Sequence, residues 1–228
     1  MSSLINALYH LDWIEIGQAT LETLQMLGAS LLFTVLLGLP LGIALYLTAP
    51  GNLYASRRIY GVLSLLVNVL RSLPFIILLI IMIPLTLTVV GTSIGVPGSI
   101  PPLVAGATPF FGRMVENVLR EIDRELIEAS QTLGATTRQI IWRVLLPESM
   151  PGLLAATTVT AIALVGYTAM SGVIGGGGLG DLAVRYGYQR FETDVMVITV
   201  LLLLILVYAL QTLGDKLVAR TSRKVARR

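Results

Sequence analysis

Three stretches of this chain, Thr23 to Thr48, Met150 to Ile174 and Val195 to Leu213, contain no charged side chain. A helix rises about 1.5 Å per residue, so about 20 apolar residues carry it across the hydrocarbon core of a bilayer. Each stretch is of that order. Ile59 to Leu87 adds a fourth apolar region interrupted only by Arg71, and Pro101 to Leu119 a fifth that holds Arg113 and Glu116 near one end. Composition points the same way, with 55% hydrophobic and 13% charged residues over 228 positions, whereas a soluble domain carries about 25% charged residues. The expected fold is all-α, a polytopic membrane protein with five transmembrane helices.

Basic residues set the sidedness of such a chain, because they collect on the cytoplasmic face. Arg57, Arg58, Arg120, Arg124, Arg138, Arg143, Lys216, Arg220, Arg223, Lys224, Arg227 and Arg228 fall on one side of a five-span topology, and Arg185 and Arg190 on the other. The C-terminus and the segment between spans three and four are therefore expected in the cytoplasm, and the N-terminus outside. Residues 1–22 read as an external, partly helical lead-in. Asp12 and Glu15 stand where a cleavable signal would carry basic residues. Residues 215–228 read as a basic cytoplasmic tail that anchors its end and meets membrane lipid, not nucleic acid. His10, the single histidine, has no second ligand beside it, and no metal role is expected. Zero cysteines exclude disulfides, thiolate metal sites and a Cys nucleophile.

Within the spans, Gly28, Gly38, Pro40 and Gly42 suggest a kink and close helix contacts. A charge at the depth of Arg71 costs about 2.5–3.5 kcal/mol on insertion scales. Two paths answer that cost: Arg71 lines an internal surface, the favoured one, or residues 59–70 lie flatter and the span starts near Pro74. Val90 to Pro102 reads as an external loop or re-entrant turn, with Pro101 and Pro102 opening the next helix. Arg113 and Glu116, three apart, are expected to pair as a structural anchor. Gly175 to Gly180, GGGGLG, ends span four; without a GxxxxGK[ST] pattern the chain does not bind ATP through a phosphate loop. Asp181 to Asp194 reads as an external loop.

The charged island from Glu121 to Pro147 stands apart from everything lipid-like. Ile122, Leu126, Ala129 and Leu133 recur at helical spacing, and Gly134 supplies the residue without a Cβ that ends a helix. Thr136 followed by Gln139 forms a capping box that starts a second helix, Gln139 to Leu146, bounded by Pro147. The product is a helix-Gly-helix elbow.

Glu128, Ala129 and Ser130, then Gly134, Val144, Leu146 and Pro147, resemble the EAA loop of ABC importer permeases, with Ser130 for the second Ala and Val144 for Ile. RSLPFIILL from Arg71, VGTSIG, RMVENVLREID and VGYTAMSGVIGGGGLGDLAVRYGYQRFETDVM are similar to the permease subunit of the methionine branch, over most of Thr23 to Gly214. The resemblance implies a type I importer permease whose transmembrane domain spans residues 23–214 and whose coupling elbow is 121–147. It implies coupling to a separate ATPase through Glu128, Ala129, Ser130, Gly134, Leu146 and Pro147, and a pathway or gate at Met170 with Tyr167 and Ser171 nearby. It implies as partners a second copy of the chain, two copies of a cytoplasmic ATPase that binds ATP and Mg, and a periplasmic or lipid-anchored methionine-binding protein. The chain itself would carry no cofactor and no catalytic residue, and would sit in the bacterial cytoplasmic (inner) membrane. Another amino acid or a short peptide is the alternative cargo. An ion-coupled secondary transporter is the rival class, but Arg71 is the sole deep ionisable candidate for it and no internal repeat is visible.

Overall fold

The computed structural model describes residues 12–225; His10, Arg227 and Arg228 lie outside them. Among the described residues every regular element is helical: α1 (Trp13–Thr48), α2 (Arg57–Ser72), α3 (Phe75–Ile81), α4 (Ile83–Val90), α5 (Gly95–Arg120), α6 (Arg124–Thr132), α7 (Thr137–Ile140), α8 (Leu146–Gly172), α9 (Gly178–Leu182) and α10 (Thr193–Val225). Single π-helical turns at Ile141–Leu145 and Ala183–Tyr188 join α7 to α8 and prolong α9. Three runs among them are long and apolar enough to cross a membrane: Trp13–Thr48, Thr137–Gly172 and Thr193–Ser222. The pair α2 and α3 qualifies together but is bent by 104°, which makes four candidates if the pair counts as one span. The chain is a multi-pass membrane protein.

Several element boundaries differ from the sequence expectation, each for a local reason. α1 begins at Trp13 instead of Thr23, because Asp12 caps it: its carboxylate accepts the N–H groups of Ile14 and Glu15 at 3.0 and 3.2 Å. The second apolar region breaks around Pro74, whose ring removes a donor and restricts the residue before it. α5 opens at Gly95, not at Pro101. Gly95 takes φ of +73°, its N–H donates to the Gly175 carbonyl at 2.9 Å, and Ser99 Oγ donates back to the Gly95 carbonyl at 3.1 Å. Pro147 does not stop the second elbow helix. The Leu146 N–H donates five residues back to the Ile141 carbonyl, and this wider turn resets the helical register just before a residue that has no N–H to offer. Residues expected as an external loop, 181–194, are largely helical, and α10 runs past Leu213 to Val225.

Two compact units emerge. One comprises the chain up to Phe33 with Leu73–Gly106 and Ala161–Leu210; the other comprises Thr34–Ser72, Ala107–Thr160 and the chain from Gln211. In the first, Ile16, Ala19, Leu179, Leu182 and Val195 form a buried cluster. Glu22 and Thr23 of α1 tie down the glycine-rich turn there, accepting the N–H groups of Gly178 and Leu179 at 2.7 and 2.9 Å. In the second, Tyr46, Phe111, Val115, Leu119, Ile127, Ile140, Leu145, Leu146 and Leu153 form the core. Gly38 and Gly42, one turn apart, let α1 lie directly on α5. A Cβ at Gly42 would stand 2.5 Å from Val115 Cβ and 2.6 Å from the Gly112 carbonyl oxygen.

This contact gives a paired test. Gly42→Ala should lower stability by about 1–3 kcal/mol through overpacking against backbone. Gly28→Ala, whose Cβ meets nothing within 4 Å, should leave the thermal midpoint in detergent unchanged or raised. Equal midpoints for the two variants would remove the close approach from the fold's account.

Candidate functional site

The elbow is assembled from three capping devices. Asp123 starts α6 by accepting the Glu125 N–H at 3.0 Å. Gly134 ends it at φ of +78°, and two reverse bonds close the turn, from the Gly134 N–H to the Gln131 carbonyl at 2.9 Å and from the Ala135 N–H to the Ser130 carbonyl at 3.1 Å. Thr136 and Gln139 then form the expected capping box, Thr136 N–H to Gln139 Oε1 at 2.8 Å and Gln139 N–H to Thr136 Oγ1 at 3.4 Å. With its ends satisfied internally, so short a segment holds its shape without borrowing bonds from elsewhere.

The face it buries is not the one the spacing suggested. Ile127 packs into the core with Ile122 beside it, while Leu126, Ala129 and Leu133 look outward. Leu133 is 88% exposed and Trp142, on the π turn, 65%. The segment thus puts Ile127, Ile140, Leu145 and Leu146 into the core and still displays a leucine and a tryptophan on its outside. Glu128 also lies outside, paired on the surface with Arg124 at 3.0 Å. Ser130 Oγ bonds the Leu126 carbonyl at 2.8 Å, whereas Leu146 is buried in the core. The motif thus divides into an outward set, Glu128 and Ala129, and an inward set, Leu146 with partly covered Pro147.

Behind the elbow lies a cluster of which the sequence showed only one edge. Glu116, expected simply to pair with Arg113, is 0% exposed and binds four donors. Its Oε2 accepts Arg113 Nη1 at 2.6 Å; its Oε1 accepts Arg120 Nη2 at 2.7 Å, Arg120 Nε at 3.2 Å and the Tyr60 hydroxyl at 3.2 Å. Arg113 extends the chain of bonds to Ser64 Oγ at 2.8 Å and Asn68 Oδ1 at 3.0 Å. An acid with Arg three residues before it and four residues after it was the available signal. Arg120 also borders an open cleft of about 290 Å³ whose lining includes Tyr46, Asn52, Arg124, Ile127 and Glu128.

At the other candidate site, the last turns of α8, Tyr167 stacks on Phe75 with ring centroids 4.4 Å apart. Met170 is half-exposed, and Ser171 is turned inward, donating to the Thr168 carbonyl at 2.8 Å with Met26 Sδ at 3.8 Å. Met170 therefore does not share a face with Ser171, whereas Tyr167, four residues before Ser171, lies near it on the helix. Arg71 is exposed at the end of α2, its guanidinium carbon 5.9 Å from the Phe110 ring centroid.

Comparison with known proteins fits this arrangement. The family described as the binding-protein-dependent transport system inner membrane component matches residues 38–227. The probable D-methionine transport system permease protein of Vibrio cholerae is 43% identical over 206 residues, covering 90% of this chain and 92% of that protein. The methionine import system permease protein of Bacillus subtilis is 46% identical over 206 residues, 90% and 93% covered. A solved inward-facing structure of the MetNI methionine ABC transporter superposes with a TM-score of 0.90 at 49% identity, over 91% of this chain and 96% of that one. On a match that spans most of its length, in family model, relatives and fold alike, this chain belongs to the binding-protein-dependent transport system inner membrane component family.

Proposed function

We infer that this chain is the membrane-spanning subunit of an ATP-driven importer that carries methionine into the cytoplasm. The observation that carries the mechanical half is the outward elbow: Leu133, Trp142 and Glu128 on a self-capped segment with no cover of their own. The names of relatives at 43% and 46% identity supply the cargo. The chain is not an enzyme. ATP and Mg belong to a separate ATPase subunit, two copies of which act on two copies of this chain, and a periplasmic or lipid-anchored binding protein delivers methionine. Five spans within residues 23–214 place the N-terminal lead-in, residues 1–22, outside and the elbow, residues 121–147, with the basic tail, residues 215–228, in the cytoplasm of a bacterial cell; α5, despite its charged inner end, and the bent α2–α3 pair count among the five.

In this reading the ATPases close on ATP and carry the elbows with them, and rigid displacement of the elbows rocks the helices between inward and outward states. Glu128, Ala129 and Ser130 form the docking face, Gly134 sets its angle, and Leu146 and Pro147 root it in the core. Met170, with Tyr167 and Ser171 in the same turns, lines or gates the pathway; a polarizable thioether yields as a passage opens. Arg71, beside the break between α2 and α3, is the intramembrane charge kept toward protein or water.

Vesicles holding this chain, its ATPase and its binding protein test both halves. ATP-dependent uptake of radiolabelled methionine is expected, and Glu128→Arg should reduce it by at least about tenfold, the scale of a lost coupling of about 1.4 kcal/mol, with the permease dimer still assembled. Hydrolysis that ignores methionine but answers another amino acid or a peptide would reassign the cargo. Uptake without any ATPase would overturn the class.

Docking has its own test. Leu133→Asp, at an 88% exposed position, should leave the detergent melting temperature within experimental error yet release the ATPase on gel filtration. A variant that still retains the ATPase would move the docking surface off this part of the elbow.

A further inference from the structure

Glu116 and its partners have no part in the docking surface, yet they occupy the root of the elbow. Tyr60, Ser64 and Asn68 are spaced four residues apart, so they form one polar stripe along α2. All three are bonded into the cluster, and exposed Val62, Leu66 and Val69 lie off that stripe. Two helices in lipid need only small residues and shape to adhere. Here they are joined instead by a fully buried carboxylate whose two oxygens are shared among donors from both helices. Such bonds are directional, so they fix one register where apolar contact would let the helices slide. Arg120 closes the chain of bonds toward the elbow: it is the last residue of α5, and it borders the cleft that Arg124 and Glu128 also line.

We propose that Glu116 is a positioning residue for transport, a clasp that fastens α2 to the inner end of α5 so that displacement of the elbow moves both as one piece. The proposal rests on the importer reading and deepens it. Elbow motion enters α5 at Arg120, passes to Glu116, and leaves through Tyr60 and through Arg113 to Ser64 and Asn68. Without the clasp, α5 would still follow the ATPase while α2 lagged.

The test uses the absence of cysteine in the chain. Val62→Cys, 68% exposed on α2, carries a spin label, and label-to-label distance is measured in the complex of two permeases and two ATPases, nucleotide-free and trapped with ATP and vanadate. Tyr60→Phe combined with Ser64→Ala and Asn68→Ala cuts α2 from the clasp while leaving the Arg113–Glu116–Arg120 bonds whole; if the triple variant does not fold, Tyr60→Phe and the pair Ser64→Ala with Asn68→Ala are made separately, each cutting one of the two routes and each expected to reduce the shift in part. With the clasp intact the distance should shift between states. In the variant the shift should vanish or broaden, and ATP hydrolysed per methionine imported should rise by about tenfold, within the span of ordinary coupling energies. An unchanged shift in the variant, no shift with the clasp intact, or uptake and hydrolysis falling in proportion would each overturn the proposal. If the label moves but no methionine enters, the cargo assignment fails and the label distances alone decide the clasp.

Discussion

A backbone inside hydrocarbon has no water to bond with, so every N–H and C=O in that layer must find its partner within the protein. Every regular element among the described residues is helical, and the irregular pieces between them show how the remaining groups are met. Where the glycine-rich turn after α8 leaves helical geometry, Glu22 and Thr23 take its free N–H groups and the Gly175 carbonyl takes the one from Gly95. The carboxylate of Glu22 is thus accounted for by backbone, in a chain that is short of charge elsewhere in its apolar stretches. The elbow solves the same problem with side chains of its own, through Asp123, Thr136 and Gln139.

Once helices form, burial against lipid offers little further drive, because tails are as apolar as leucine, and close packing takes over. Gly38 and Gly42 against Phe111, Gly112 and Val115 are the outcome, as is Gly214 facing Thr158. Many large apolar side chains of α1 and α10, Leu36 and Leu204 among them, are exposed in the isolated chain. In water that would be a liability; in a membrane protein such side chains suit a surrounding of lipid.

Much of this was legible in the residues. Charge-free runs gave the helices, Gly134 and the Thr136–Gln139 spacing gave the elbow, and Arg113 with Glu116 gave a true ion pair. What was hidden shares one property: it depends on which way a helix is rotated or on a neighbour distant in sequence. Ile127 against the stripe of Leu126, Ala129 and Leu133 is a rotation, settled by the core that the helix lies on. Pro147 passed as a stop because a π-helical turn just ahead of it cannot be read from composition. Gly95 opened α5 early because its partner, Gly175, lies far along the chain. Tyr60, Ser64 and Asn68 looked like ordinary polar relief in an apolar helix until α5 supplied their partners.

Two ion-paired acids near the elbow, Glu128 and Glu116, show why position, more than presence, decides what a charge does. Arg124 and Glu128 face water, where an i, i+4 pair contributes about 0.3–0.5 kcal/mol and is readily exchanged for another partner. That weakness suits the docking role proposed for Glu128, because a partner's charge can replace the internal one at small cost. Glu116 is the opposite case. Removing one member of a buried pair costs about 3–5 kcal/mol, because the remaining charges stay desolvated. With Arg113, 15% exposed, on one side and the more open Arg120 on the other, the carboxylate has no cheap alternative to the partners it holds. In the importer proposed above, the first contact is loose enough to engage a moving partner, and the second is stiff enough that the motion is not lost at the first joint.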